Sequence, residues 1–167
     1  MAIYSAAKIV QACNEAKESQ LLDLTECDLV QIPHALYLML MSTPPVHCIF
    51  SRNKLKSIPG KFPSTFNKME SLILDNNKLE YLPTEMKDLT ALSTLNISQN
   101  DFKVFPECLY DLKNLKQLDI GGNEIEQIDC DRLEQMTSLE ELKAFENPLS
   151  DETLMRLKQI KKIKLFI

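Results

Sequence analysis

Glycine and histidine are rare in this sequence of 167 residues, which holds three of the first and two of the second. The low glycine content, together with 44% hydrophobic and 26% charged residues, is typical of a folded globular chain and argues against disorder. No apolar run approaches the roughly 18 residues that a membrane-spanning helix needs, and we expect no membrane partner. Residues 1–19 also lack the uninterrupted apolar core of a signal peptide.

Cysteine pairs are also missing. The five cysteines are odd in number and widely spaced, and none belongs to a Cys-x-x-Cys motif. This pattern favours a reduced chain inside the cell, so we expect a cytoplasmic location, with the nucleus as an alternative. The net charge of −5 disfavours contact with phosphate backbones, and no nucleic-acid partner is expected.

An internal repeat of 23 to 26 residues runs through most of the chain. Each copy has apolar residues at places 4, 6 and 11, and place 1 is apolar in all but the first copy, which begins with Ser19. Asparagine stands at place 9 in all but the first copy, where Cys27 replaces it. The six copies begin at Ser19, Pro45, Met69, Leu92, Leu115 and Leu139. The alternation around places 3 to 7 predicts a short strand with places 4 and 6 facing the core. The asparagine amide would form hydrogen bonds with backbone groups at the corner that follows the strand. Because the first copy has Cys27 instead, its corner should be held by fewer hydrogen bonds.

This pattern resembles the leucine-rich repeat, LxxLxLxxNxL, in its proline-bearing form, over nearly the whole chain from Ser19. The resemblance implies an α/β solenoid with a curved parallel sheet of about seven short strands. Short helices or turns would form the convex side, and a helix would cap the N-terminal end. It also implies that places 3, 5, 7 and 8 of each coil line the concave face, where such proteins bind partners.

The predicted organisation is a single domain with three parts: a capping helix over residues 1–18, repeats over 19–159 and a cap strand over 160–167. In the helix, Ile3, Ala6, Ala7, Val10, Cys13 and Lys17 recur at helical spacing. A membrane-surface helix is the alternative, but the face is small and the charges are mixed. At the other end we expect a helix over about 151–159 and a strand over 163–165.

The long return between residues 32 and 45 predicts a longer helix, with His34 in the turn before it. Its apolar residues 37–41 have two interpretations: they cover the weaker first corner, or they form a second contact site.

The predicted partner-binding residues lie on the concave face. They are His47, Ile49, Ile73, Asp75, Asn96, Asp119, Lys143 and Phe145. Ile49 and Ile73 should stand side by side facing solvent, and Phe145 should pair with Phe166 in a second apolar patch. Between the patches, Gly121 and Gly122 leave the backbone without side chains. Either a partner side chain enters the space above them, or glycine has no functional role at these variable places.

Charge is unevenly distributed near the C-terminus. Residues 117–152 contain eleven acids and two bases, whereas the residues after Glu152 contain five bases and no acid. An acidic belt beside a basic end would orient a charged partner, or it is simply a solvated polar surface. Five bases are too few to establish lipid binding.

No catalytic constellation is visible. His47 and Cys48 are adjacent in a predicted strand, so they should point to opposite faces and cannot act as a pair. We find no converging metal ligands and no phosphate loop, and we expect no enzyme and no cofactor. The leading hypothesis is a scaffold or adaptor that binds a protein on the concave sheet. The alternative is a structural protein that uses this face to form a homodimer or a larger assembly.

Overall fold

The computed structural model of the protein describes residues 2–167, with side chains from residue 6 onward. Met1 and the side chain of Ile3, both assigned to the capping helix by the sequence, lie outside the described residues. Seven strands form one parallel sheet in which every strand pairs with the next one along the chain. They are β1 (Leu21–Asp23), β2 (His47–Ile49), β3 (Ser71–Ile73), β4 (Thr94–Asn96), β5 (Gln117–Asp119), β6 (Glu141–Lys143) and β7 (Lys164–Phe166). The predicted α/β leucine-rich-repeat solenoid is confirmed.

Short helices carry the chain back to the next strand. The helices are α1 (Ala2–Ser19), α2 (His34–Leu40), α3 (Lys61–Thr65), α4 (Cys130–Gln135) and α5 (Asp151–Leu157), with 3₁₀ turns at Thr84–Asp88 and Glu107–Asp111. Leu89, Leu112 and Met136, which follow these short returns, are buried. Among residues 2–167, no helix is long and apolar enough to cross a lipid bilayer.

The core lies between the sheet and the returns. Places 4 and 6 face inward as predicted: Leu72 and Leu74 are buried in one coil, and Leu95 and Ile97 in the next. Each coil therefore buries its apolar face against its two neighbours, and stability is shared along the array.

An asparagine ladder ties successive corners together. In Asn77, Nδ2 donates to the carbonyl oxygens of Leu74 in its own coil, at 3.0 Å, and Phe50 in the preceding coil, at 2.9 Å, while Oδ1 accepts from the Leu55 amide at 3.0 Å. Asn53, Asn100, Asn123 and Asn147 repeat this pattern. These bonds satisfy backbone groups that would otherwise be buried without partners.

The first corner is held by more hydrogen bonds than the sequence predicts. Asn53 of the second coil accepts from the amides of Cys27 and Leu29, both at 3.0 Å. Lys8 of α1 donates to the carbonyl oxygen of Thr25 at 2.8 Å. Since each asparagine serves the corner before it, the first coil needs no asparagine of its own.

Helix α1 packs against β1 and α2, but through a different face from the predicted one. Ile9, Ala12, Cys13 and Ala16 are buried, whereas Val10 is 46% exposed. The predicted face was wrong at Ala6, Ala7, Val10 and Lys17, which are all exposed. The small residues at 12, 13 and 16 let the helix approach β1 closely, and Ile9 supplies the bulk.

Helix α2 begins at His34, so this histidine is not in a turn. Leu36, Tyr37 and Leu40 are buried, and the Tyr37 ring stacks on Phe66 with a centroid separation of 5.8 Å. The buried side of α2 therefore joins the convex core, in contact with α1, whereas Leu38 and Met41 on its other side are exposed.

The last strand is displaced from its predicted position. It spans Lys164–Phe166 and not residues 163–165, and Leu165 stands opposite Leu142. Lys164 therefore occupies place 3 and Phe166 place 5. This segment has no corner asparagine to fix the register, so the pairing follows the burial of Leu165 and Ile163 instead.

Candidate functional site

One line of side chains runs across the middle of the concave face. Strand pairing places the fifth residue of every coil beside the fifth residue of the next. We call this line the central column; it consists of Asp23, Ile49, Ile73, Asn96, Asp119, Lys143 and Phe166. It therefore contains five of the eight predicted partner-binding residues, and the shift of the last strand adds Phe166.

Ile49 and Ile73 are direct neighbours in the central column, as predicted. They are half-buried and not fully open to solvent, because side chains on adjacent strands, about 4.8 Å apart, cover one another. The pair forms a narrow apolar strip at the N-terminal end of the concave face.

The middle of the column forms a shallow polar depression of about 110 Å³. Ile73, Asn96, Asp119 and Lys143 line it, so the fold brings four predicted residues together. Glu141 lines it as well, and the sequence-based selection missed this residue. Its position at place 3, two residues before Lys143, was the available signal.

Lys143 is the cation of this depression. Its Nζ lies 3.9 Å from Oδ2 of Asp119 and 3.6 Å from Oε1 of Glu141. Lys164 approaches the other oxygen of Glu141 at 3.4 Å. These partly exposed ion pairs are long and contribute little to stability, so a partner can replace them at low cost.

Polar side chains of the central column are oriented by the backbone two residues further on. Oδ1 of Asn96 accepts from the Ser98 amide at 2.9 Å, and Oδ1 of Asp119 accepts from the Gly121 amide at 3.0 Å. In Asp119, burial raises the pKa, and the Gly121 amide and Lys143 partly offset this effect. The second carboxylate oxygen of Asp119 is held toward the depression, where Lys143 lies.

Asp75 and His47 lie outside the depression. Asp75 at place 7 accepts from the Ser51 hydroxyl at 2.5 Å and from the side-chain Nδ2 of Asn76 at 2.8 Å. Both of its oxygens are therefore engaged within the sheet. His47 is exposed at place 3 of β2, while Cys48 beside it is fully buried. Burial raises the pKa of the Cys48 thiol, and the two side chains do not meet.

The step at Gly121 and Gly122 is filled by the protein itself. A Cβ built on Gly121 would lie 2.9 Å from two carbons of the Phe145 ring, and a Cβ on Gly122 would collide with the Gln99 side chain. Gln99 reaches across Gly122 and donates to Glu146 at 3.1 Å. The idea that a partner side chain enters here was therefore wrong, and Phe145 packs on Gly121 and does not pair with Phe166.

Place 8 turns away from the strands at every corner. The six residues at this place have φ between 54° and 63°, in the left-handed region that glycine tolerates best. They are Glu26, Arg52, Asn76, Gln99, Gly122 and Glu146. Each strand ends at place 5, and the chain bends at place 8.

The basic C-terminal end does not stand apart from the acidic belt. Arg156 pairs with Asp131, Lys164 pairs with Glu141, and Lys162 donates to the carbonyl oxygen of Glu134. Bases and acids that are distant in sequence become neighbours because consecutive coils stack. Much of the predicted charge separation is thus removed by pairing between coils.

Comparison with known proteins shows what this chain is similar to. A family profile described as leucine rich repeat matches residues 49–102. Leucine-rich repeat-containing protein 20 of Mus musculus is 37% identical over 89 residues, which are 51% of this chain and 48% of that protein. The human protein of the same name is 37% identical over 92 residues, 53% of this chain and 50% of its own length. The chain thus spans about half the length of these relatives.

Two solved structures share the architecture. A leucine-rich-repeat protein of Leptospira interrogans superposes with a TM-score of 0.72 at 24% identity, covering 84% of this chain and 35% of that one. An internalin of Listeria monocytogenes gives a TM-score of 0.59 at 22% identity, covering 72% and 33%. At this level of identity, the likeness concerns the fold alone.

Proposed function

Because the chain is a leucine-rich-repeat protein that resembles leucine-rich repeat-containing protein 20, we propose that it is a non-enzymatic module that binds a protein partner on its concave sheet. Leucine-rich-repeat domains generally mediate protein–protein interactions, and their curved sheets offer extended concave surfaces. The observation that carries the proposal is the central column, in which an apolar strip leads directly into a polar depression.

Each part of the column has a role in this proposal. Ile49 and Ile73 supply apolar contact area, which anchors most protein interfaces. Asp119, Glu141 and Lys143 supply charged groups whose mutual pairs are long enough to be exchanged for a partner's charges. Such charges give orientation and specificity more than affinity. A scaffold or a regulatory adaptor would use the face in this way.

The test removes the apolar strip without adding charge. The double variant Ile49→Gln, Ile73→Gln should lose the proteins that the parent chain retains from a cytosolic extract, by about tenfold. Retained proteins are counted by quantitative mass spectrometry, after circular dichroism has shown that the variant is folded. The matched control is Leu38→Gln, Met41→Gln, which changes two residues on the convex side that are 74% and 71% exposed.

The result separates the concave face from other surfaces. Loss in the strip variant with retention in the control supports the proposal, whereas equal retention by both variants contradicts it. Self-association through the same strip is the competing use. Light scattering of the parent chain identifies it, because a mass that doubles with concentration, and no longer does so in the strip variant, would favour a homodimer.

A further inference from the structure

Two exposed apolar side chains stand in adjacent coils on the side of the solenoid that leads from the strands to the convex helices. They are Tyr81, which is 60% exposed, and Val104, which is 70% exposed. Both occupy place 13 of their repeats. The residues at place 13, from the first coil to the fifth, are Gln31, Ser57, Tyr81, Val104 and Gln127. Among these five coils, only the third and the fourth carry an apolar residue at place 13.

Each of these side chains borders a depression. One, of about 470 Å³, is lined by both Tyr81 and Val104 together with Lys103. The other, of about 370 Å³, begins at Val104 and continues over Tyr110 and Ile128. The two depressions meet at Val104, and together we call them the flank groove. Apolar side chains line the flank groove, and the groove has room for an extended peptide chain.

The flank groove is strongly acidic. Six acidic side chains and two basic ones line it. The acids are Glu80, Asp101, Glu107, Glu124, Asp129 and Glu152. Both bases are already paired within the protein: Nζ of Lys103 lies 3.8 Å from Oε2 of Glu124, and Arg156 pairs with Asp131. Glu107 is paired as well, with Arg132. The negative charge that attracts a basic group therefore comes from the other acids of the groove, which are Glu80, Asp101, Asp129 and Glu152.

The floor of the groove is held in place before any partner arrives. The Tyr110 hydroxyl accepts a hydrogen bond from the Asp129 amide at 3.0 Å, and the Arg132 guanidinium lies 4.1 Å above the Tyr110 ring. Backbone bonds between coils, such as Asp101 N–H to the Leu79 oxygen at 2.9 Å, fix the walls. Such rigidity lowers the entropy lost on binding.

We propose that the flank groove binds an extended segment of a partner protein in which basic residues alternate with apolar ones. The apolar side chains would contact Tyr81 and Val104, and the basic side chains would meet the acidic walls. This surface is separate from the central column, and the inference does not depend on binding at the concave face.

Two synthetic peptides test the inference on the full chain labelled with ¹⁵N. The basic probe is Gly-Leu-Arg-Val-Arg-Leu-Gly, and the matched acidic probe has Glu in place of both Arg residues. At peptide concentrations up to about 1 mM, the basic probe should shift amide signals around residues 80–81, 101–107 and 124–130. The acidic probe should leave them unchanged, and added salt should weaken the response.

Substitutions decide whether the groove itself is responsible. Tyr81→Ser and Val104→Ser should each weaken binding of the basic probe by about fivefold. Val30→Ser is the control, because Val30 is 64% exposed in the first coil and does not line the groove. Absence of binding, equal binding of both probes, shifts confined to the concave strands, or unchanged affinity in both groove variants would each overturn the inference. None of these outcomes affects the test of the central column.

Discussion

Asp119 is a charged residue whose environment opposes its charge. Its side chain is 18% exposed, and burial raises its pKa above the ordinary value of 3.8. The neighbouring carboxylates of Asp75 and Glu141 act in the same direction, while Lys143 and the Gly121 amide act against it. In the folded protein, the ionised form is therefore less favourable than in the unfolded chain. A partner cation placed beside Asp119 would relieve this cost.

Replacing Asp119 by Asn should stabilise the fold at neutral pH. Asn keeps an acceptor for the Gly121 amide and removes the buried charge, so unfolding should become less favourable by about 0.5 kcal/mol. Because the folded pKa is raised, the gain is present above that pKa. It should shrink as the pH falls through the folded pKa and vanish below the unfolded value of 3.8. Urea unfolding at pH 7 and at about pH 3 measures both limits.

Asp23→Asn is the control for this pH dependence. Asp23 occupies the same place in the first coil and accepts from the Thr25 amide at 2.9 Å, but it is exposed. A gain at pH 7 that Asp119→Asn and Asp23→Asn share, or a gain that persists in acid, would show that burial of the Asp119 charge is not the cause.

At the residue scale, the repeat pattern located the concave residues but not their surroundings. Ile49 and Ile73 were predicted as neighbours because their places in the repeat are equal, and they are neighbours. Their partial burial depends on side chains of other coils, which the pattern does not describe. The packing of Phe145 on Gly121 and the engagement of Asp75 by Ser51 were missed for the same reason.

The corners are the elements that join the coils. Asn100 accepts from the Leu79 amide at 2.9 Å and donates to the oxygens of Leu74 and Ile97 at 3.0 and 3.1 Å. Asn100→Ala would leave these buried groups without partners, so we expect a loss of about 3 kcal/mol in the free energy of unfolding. Chemical unfolding monitored by circular dichroism gives the value.

Asn114 provides the matched comparison for the corner. Its Nδ2 donates to the Thr90 oxygen at 2.7 Å, but the side chain is exposed. Water can replace this bond, so Asn114→Ala should cost no more than about 0.5 kcal/mol. If the two variants lost equal stability, the ladder would not be the structural tie that its geometry indicates.

The strands of all six coils lie where the repeat placed them, including the strand of the first coil, which has Cys27 in place of the asparagine. The last strand was not predicted as well. In the last segment, Ile160, Ile163 and Leu165 are all suitable core residues, so apolar spacing alone left the register undetermined. Helix α1 was predicted correctly as a helix, but its alanines lie on both faces and did not reveal which face packs on β1.

The whole molecule has two unlike ends. β1 is covered by α1, whereas no element among residues 2–167 pairs with the outer edge of β7. Lys164 in this edge strand discourages pairing with another sheet. The array should therefore open more readily at its C-terminal end, since each coil is stabilised by its neighbours.

Hydrogen exchange of one backbone amide at each end of the solenoid measures this asymmetry. Leu24 N–H donates to the Ile49 oxygen and Lys164 N–H to the Glu140 oxygen, both at 2.8 Å. Despite equal bond lengths, we expect Lys164 to exchange about tenfold faster or more, because local opening is easier at an uncovered end. Exchange monitored by NMR gives both rates in one sample, and equal rates or faster exchange at Leu24 would contradict the argument.

The ring of Phe145 rests on Gly121 of the coil before it, which makes these two coils a matched pair and not interchangeable units. If the sixth coil were duplicated in tandem, the second copy of Phe145 would lie above the first, where a large ring already stands and no glycine makes room. Lengthening the solenoid at this point would require compensating changes in two coils together. Growth of such a protein by simple repeat duplication should therefore be less favourable at this step than between coils that carry small residues at place 7.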